Sequence, residues 1–251
     1  MTEKIIHAKH ESEVPEMKTL GILGGMGQWA TIDIIQRILR YSATKMPQYG
    51  NRGYPPMIIQ MINVSNIILN KDGSFVEPVK PAPELLEMAK FVGANADILI
   101  MTSNTPHIFT KEVQEAAGKP ILSIVDVTVK EIRRRGDKKV GVMAVGPTIR
   151  AKLYQKPLRR IGVEPVLLPE EMDHNLDENA IYMVQEGENA KDFTKPVTKA
   201  IEYFKKQNVD GVILGCTEIP LLLEDENDPI IINSSQLLAE AALEAVLGEK
   251  F

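Results

Sequence analysis

The chain has 251 residues, a 44% apolar fraction and a net charge of −5, which is room for one large α/β domain or two small ones around an ordinary globular core. Lys and Arg are scattered and form no basic stripe, which argues against nucleic acid as a partner, and no apolar run reaches the ~18 residues of a membrane span. Residues 1–17 read as a charged polar tail without the apolar stretch of a secretory signal.

Short apolar β runs alternate with longer amphipathic stretches, the pattern of βα units around a parallel sheet. Strands are expected over 18–23, 57–61, 97–101 and 120–124. The first is followed by the turn Gly24-Gly25-Met26-Gly27, and helices are expected over 31–42, 83–92 and 106–117. The second half restarts the same way. Val140-Gly141-Val142-Met143-Ala144-Val145-Gly146 parallels Leu20-Gly21-Ile22-Leu23-Gly24-Gly25-Met26. Strands follow over 165–168, 212–214 and 229–232, with helices over 127–134, 195–207 and 237–247. The expected fold is therefore α/β, with two Rossmann-like lobes related by pseudo-duplication, each on a parallel four-stranded sheet. The expected limits are 18–124 plus 233–251 for the first lobe and 125–232 for the second, the last helix crossing back onto the first lobe. In open α/β sheets ligands bind at the carboxyl ends of the strands, so a site in the cleft between the lobes is expected.

One tract occurs twice with a telling difference. Ala96 to His107 ends in Met101-Thr102-Ser103-Asn104-Thr105-Pro106-His107, and Val209 to Pro220 ends in Leu214-Gly215-Cys216-Thr217-Glu218-Ile219-Pro220. Each is an Asp, an apolar strand, a small nucleophilic side chain, a polar pair and a proline. Cys216 is the single cysteine. It excludes an internal disulfide and fits a reducing cytoplasm. It reads either as a small buried hydrophobe or as a thiol at a strand end, where a helix N-terminus lowers the pKa and Glu218 opposes the shift. Ser103, Asn104, Thr105 and Thr217 read either as helix-start chemistry or as donors for a carboxylate. His107 is one helical turn after Ser103 and reads as a base or as a capping and packing group. Arg150 is a candidate carboxylate clamp at a strand-end turn. The four histidines (His7, His10, His107 and His174) show no metal-ligand spacing with Cys216, and no phosphate-cradling loop is present.

Three tracts in order resemble the aspartate/glutamate racemase superfamily over Met17 to the C-terminus. They are Gly21-Ile22-Leu23-Gly24-Gly25-Met26-Gly27 with Ala30-Thr31, Met101 to His107, and Gly215-Cys216-Thr217-Glu218. The resemblance implies an isomerase, often a homodimer, that works without PLP or metal. It implies two thiols on opposite faces of an amino acid α-carbon, one removing the proton and the other returning it. It makes Cys216 and Ser103 the catalytic pair. It makes Asn104, Thr105, Thr148 and Thr217 holders of the substrate's carboxylates and the Gly25-Met26-Gly27 turn the backbone nearest the ligand. Arg150, Glu218 and His107 are further substrate-binding candidates beside these. A small acidic amino acid is the implied substrate. Two departures stand out. Ser103 replaces the first cysteine, and the region around Glu186 lacks a lysine that some aspartate racemases use on the side-chain carboxylate. The expected reading is a racemase with one strong face. Two alternatives stand beside it: a single-cysteine decarboxylase of the same superfamily and a lapsed enzyme that binds an acidic metabolite.

Overall fold

Each half of the chain folds around a four-stranded, wholly parallel sheet, and the two sheets repeat one strand order. The computed structural model describes residues 14–71, 76, 78–223 and 227–249. Most of the expected tail, with His7 and His10, lies outside the described residues. The first sheet runs β2 (Met57–Met61), β1 (Leu20–Gly24), β3 (Ile98–Met101), β4 (Ile121–Leu122). The second runs β6 (Glu164–Leu167), β5 (Lys139–Met143), β7 (Gly211–Leu214), β8 (Ile231–Asn233). The register agrees as well: Leu23 pairs with Met101 in the first sheet and Met143 with Leu214 in the second. β1 and β7 are buried along their whole length. That is why their sequences are continuous apolar runs rather than alternating ones: helices cover both faces of a parallel sheet.

The helices are α1 (Gln28–Lys45), α2 (Pro83–Gly93), α3 (Thr110–Ala117), α4 (Ile124–Arg135), α5 (Gly146–Arg150), α6 (Gln155–Arg160), α7 (Glu170–Leu176), α8 (Tyr182–Gln185), α9 (Lys195–Lys206) and α10 (Ser234–Val246). Five sequence expectations are corrected, two strands and three helices. The helix expected over 106–117 is split into a 3₁₀ turn, Thr105–Phe109, and α3, because the backbone at Phe109 leaves the helical region. The strands expected over 120–124 and 229–232 are shorter or shifted, and each passes directly into a helix. Ser123 Oγ accepts from Asp126 N–H at 3.1 Å, so α4 begins at Ile124, not at Val127. Asn233 Oδ1 accepts from Ser235 and Gln236 N–H, so α10 begins at Ser234. A side-chain cap satisfies the otherwise orphaned first-turn donors. The short helices α5 to α8, the last two joined by a π-helical turn Asp177–Ile181, occupy a stretch in which sequence periodicity showed only one strand.

The lobes share apolar contacts. One buried cluster joins Leu20 and Ile22 of β1, Val140 and Val142 of β5, Ile34 and Ile38 of α1, and Leu238 and Ala242 of α10. α10 packs against α1 and α4, and Lys18 N–H donates to Val246 O at 3.0 Å. Among the described residues no helix is long and apolar enough to cross a membrane. With the two sheets held this way, the turns after β1, β3, β5 and β7 meet on one cavity.

Candidate active site

That cavity has a volume of about 670 Å³, within the range of ligand pockets. The first lobe contributes the turn 25–27 and the residues after β3, Ser103, Asn104 and Thr105. The second contributes Cys216, Thr217 and Glu218 after β7, Val145 and Pro147 after β5, and Asp177 and Gln185 from the α7–α8 segment. The turn needs glycine at its start. Gly25 has φ +86°, and a Cβ there would lie 2.1 Å from Ile62 O. Thr31 of α1 fixes the turn from behind. Its Oγ1 accepts from Gly25 N–H at 3.0 Å, donates to Gly27 O at 2.8 Å and lies 2.8 Å from Thr102 Oγ1.

Ser103 and Cys216 occupy equivalent positions, each two residues beyond the end of the third strand of its sheet, and both are buried on the cavity wall. Their surroundings differ. Cys216 Sγ–H donates to Glu218 Oε2 at 3.0 Å. Burial, and then the Glu218 charge and its hydrogen bond, push the thiol pKa well above its ordinary value. The lowering expected from a helix N-terminus is overturned: the turn that follows, Ile219–Leu222, is a four-residue 3₁₀ helix, and the carboxylate lies nearer. Glu218, only 2% exposed, also accepts from Gly27 N–H and from Gln185 Nε2, each at 3.2 Å. One carboxylate thus links the thiol, the glycine turn of the other lobe and α8.

Further hydrogen bonds tie the lobes at the cavity edge. Thr105 Oγ1 lies 3.0 Å from Thr148 Oγ1, and Thr217 Oγ1 donates to Thr102 O at 3.2 Å. Tyr154 OH donates to Asn104 Oδ1 at 2.5 Å. That bond sets the amide orientation and leaves Asn104 Nδ2, on a side chain 2% exposed, with no partner among the described residues. A buried donor without an acceptor costs about 1–3 kcal/mol. Nδ2 therefore suits an oxygen brought by a ligand.

Three expected substrate contacts are not on the wall. Thr148 is fully buried behind it, against Thr105. Arg150 is exposed at the end of α5, with its guanidinium beside Gly146 and within electrostatic reach of Asp177. His107 is buried with both ring nitrogens engaged: Nδ1–H donates to Ser103 O at 2.9 Å, and Nε2 accepts from Ile124 N–H at 3.2 Å. It holds the loop after β3 against the start of α4. Burial lowers its pKa from 6.5 to about 4, against the opposing pull of the backbone carbonyls. Because the folded-state value is the lower one, the unfolded chain takes up the proton first as pH falls. Stability from this group is complete above about pH 6.5 and declines toward pH 4, by roughly 2 kcal/mol at pH 5. Urea unfolding at pH 7.5 and pH 5 should therefore show a larger acid loss for the parent than for His107→Gln. Equal losses would remove His107 as the acid-sensitive group.

The profile of the Asp/Glu/hydantoin racemases matches residues 23–242. The chain belongs to that family. A broad specificity amino-acid racemase, RacX of Bacillus subtilis strain 168, is 26% identical over 231 residues, 91% of this chain and 98% of the relative. An aspartate racemase homologue from Pyrococcus horikoshii OT3 superposes with a TM-score of 0.69 at 27% identity, over 92% of this chain and 99% of that one. An aspartate racemase from Picrophilus torridus gives 0.74 at 23% identity, over 93% and 96%, a likeness of fold.

Several wall residues of this racemase-family chain carried no motif. Asn63, Ser65 and Asn66 follow β2 and line the cavity; their position just after a strand was the available signal. Asp177 opens the π-helical turn and Gln185 ends α8 just after it, a break that periodicity does not reveal. Gly146 N–H donates to Asp177 Oδ2 at 3.2 Å. Asp177 Oδ1 is buried without a partner among the described residues. Burial raises the Asp177 pKa to about 6. The described wall carries the carboxyl groups of Asp177, Glu178 and Glu218 and no Lys, Arg or His side chain.

Proposed function

We propose that this isomerase of the racemase type inverts the α-carbon of an amino acid by two-sided proton transfer, without a cofactor, with Cys216 as principal base and Ser103 on the opposite face. The observation that carries the reading is the equivalent placement of Ser103 and Cys216 on two matching sheets facing one cavity, with a carboxylate 3.0 Å from the thiol. Inversion needs an acid and a base on either side of one carbon, and a duplicated strand-end turn supplies two positions.

The protons balance. Glu218 Oε2 receives the thiol proton, and the Cys216 thiolate then takes the Cα proton of the L enantiomer. Ser103 O–H delivers its proton to the other face, giving the D enantiomer. The proton held on Glu218 returns to the Ser103 oxygen through solvent in the cavity, restoring the starting state. Asn104 Nδ2 and the Thr105 region hold the α-carboxylate. A hydroxyl is a much weaker acid than a thiol, so the Ser103 face is the slow one. The relatives' names make aspartate and glutamate the first acids to assay within a panel of amino acids.

The test is Cα–H exchange in D2O, followed by proton NMR from both enantiomers of each amino acid. Exchange from L faster than from D is expected. Ser103→Cys should raise exchange from the D enantiomer by about 10²-fold, the scale of a matched general acid or base. Absence of exchange from either enantiomer of every amino acid would sink the reading. A single thiol is also what a one-sided decarboxylase needs. CO2 release from a disubstituted malonate without Cα–H exchange would put that reading in its place.

A further inference from the structure

We infer that Tyr154 is a positioning residue for this site: from behind the cavity wall its hydroxyl turns the Asn104 amide so that Nδ2 faces the substrate's α-carboxylate, while its ring backs the strand end that carries Cys216. The inference rests on the racemase reading and adds to it a residue of the second lobe that no motif marked. Tyr154 is fully buried and is not one of the wall residues. Its hydroxyl donates to Asn104 Oδ1 at 2.5 Å, which leaves Nδ2 as a buried donor without a partner among the described residues. The ring stands against Gly215, the residue before Cys216: a Cβ there would lie 3.3 Å from Tyr154 Cε2. One side chain thus supports both strand-end turns, the first beside Ser103 and the second beside Cys216.

The chain around Tyr154 is built to hold it. After α5 the backbone at Lys152 takes φ +57°, a left-handed conformation that few non-glycine residues adopt. The turn leads Tyr154 inward beside Thr148, and the two grip neighbouring residues of the first lobe. Thr148 Oγ1 lies 3.0 Å from Thr105 Oγ1, and Tyr154 holds Asn104. The Thr128 and Ser234 hydroxyls stand near the phenol oxygen, but they donate to Ile124 O at 2.7 Å and to Leu214 O at 2.5 Å. Neither has a proton left for the phenol, and the phenol's own proton reaches Asn104. Burial raises the Tyr154 pKa above its ordinary value, so this donor stays protonated near neutrality. The chemistry gives the orientation its purpose. When the Cα proton passes to the Cys216 thiolate, the bonding pair stays on carbon and spreads into the α-carboxylate. A donor already aimed there is worth more in the transition state than in the ground state.

The experiment compares the parent, Tyr154→Phe, Asn104→Ala and the double variant in Cα–H exchange in D2O, with both enantiomers of alanine, methionine, lysine, aspartate and glutamate. Tyr154→Phe keeps the ring and removes the proton that sets the amide. Its kcat from the L enantiomer should fall about tenfold to hundredfold with KM within about threefold, the mark of a donor that acts in the transition state. Asn104→Ala should fall at least as far, and the double variant should match it within about threefold, because the hydroxyl acts through the amide. A Tyr154→Phe protein that exchanges within about twofold of the parent while its Tm drops has lost only a packing contact, and that result overturns the inference. Losses that multiply in the double variant overturn it as well, since the hydroxyl then acts on another group. Side-chain amide NMR of [15N]asparagine-labelled protein separates this inference from the racemase reading. The Asn104 Nδ2 signal, identified by its loss in Asn104→Ala, should shift when one of these amino acids is added to the parent and should not shift in Tyr154→Phe. If the parent exchanges no amino acid but shows this Tyr154-dependent shift, the racemase reading falls and the positioning role stands. Neither exchange nor shift overturns both. If Tyr154→Phe does not fold, the parent decides: the Tyr154 hydroxyl proton should move together with the Asn104 amide signal on ligand addition, since linked hydrogen bonds polarise one another, and an unmoved hydroxyl overturns the inference.

Discussion

Cys216→Ala should lose Cα–H exchange from the L enantiomer by at least about 10³-fold, within the range for removing a positioned general base, while the protein stays folded. The two effects separate because the side chain does two jobs of unequal size. As a packing group it is one small member of a buried cluster with Met143, Leu214 and Ile219. Removing one sulfur there leaves a small cavity, a cost of about 1 kcal/mol, or roughly 2–4 °C in Tm for a chain of this length. As a chemical group it is the sole thiol of the chain, and no other side chain on the described wall offers a soft base beside a proton acceptor. Exchange from the D enantiomer should fall too, since groups acting on one carbon from opposite faces are not additive. Exchange within tenfold of the parent, with circular dichroism unchanged, would show that the proton moves elsewhere. Cys216→Ser is the finer probe. It keeps the volume and the Glu218 contact but installs the weaker acid on both faces, and it should fall between the parent and Cys216→Ala.

The fold and the site were legible in the sequence to different depths. The apolar runs of β1, β3, β5 and β7 are buried on both faces, so composition alone marks them as strands. Their repetition gave the two matching sheets. Short strands that pass straight into capped helices were misread at their ends, because Ser123 and Asn233 are caps only in three dimensions. At the site, the small residue two positions after each third strand was visible as a repeated tract. The pairing of Glu218 with Cys216 through Oε2 was visible only as nearness in sequence, and its link to Gly27 spans 191 positions. His107 shows the limit most clearly. Its spacing from Ser103 is right for a partner, yet its ring serves the backbone at Ser103 and Ile124. Asp177 lies in a helical stretch whose break no pattern of apolar residues records.

Glu218→Gln decides what the carboxylate does for the thiol, because two effects of opposite sign compete there. The charge, together with burial, holds the Cys216 thiol pKa up. If suppression of the thiolate were its whole effect, the neutral amide would free the thiolate and speed exchange at pH 7. The same oxygen is the atom to which the thiol donates, and at pH 7 a thiol with a raised pKa needs an acceptor within reach. The acceptor role should win, with L-enantiomer exchange falling about 10²-fold at pH 7. The pH profile carries the sign. In the parent, Glu218 supplies the acceptor and the rate varies little near neutrality. In Glu218→Gln, the thiol must lose its proton to solvent, so log(kcat/KM) should rise with pH. The deficit should narrow on the alkaline side, helped by the loss of the opposing charge. Glu218 also accepts from Gly27 N–H and Gln185 Nε2, so the variant loosens a tie between the lobes. Thr148→Val is the control for that. It removes the partner of the wall residue Thr105 across the same interface and leaves the thiol and every carboxylate of the wall in place. If Thr148→Val loses as much exchange as Glu218→Gln, with the same flat pH dependence as the parent, lobe register rather than proton transfer explains the loss. If Glu218→Gln is faster than the parent at pH 7, the carboxylate restrains the thiol, and the proton acceptor for Cys216 has to be the substrate itself.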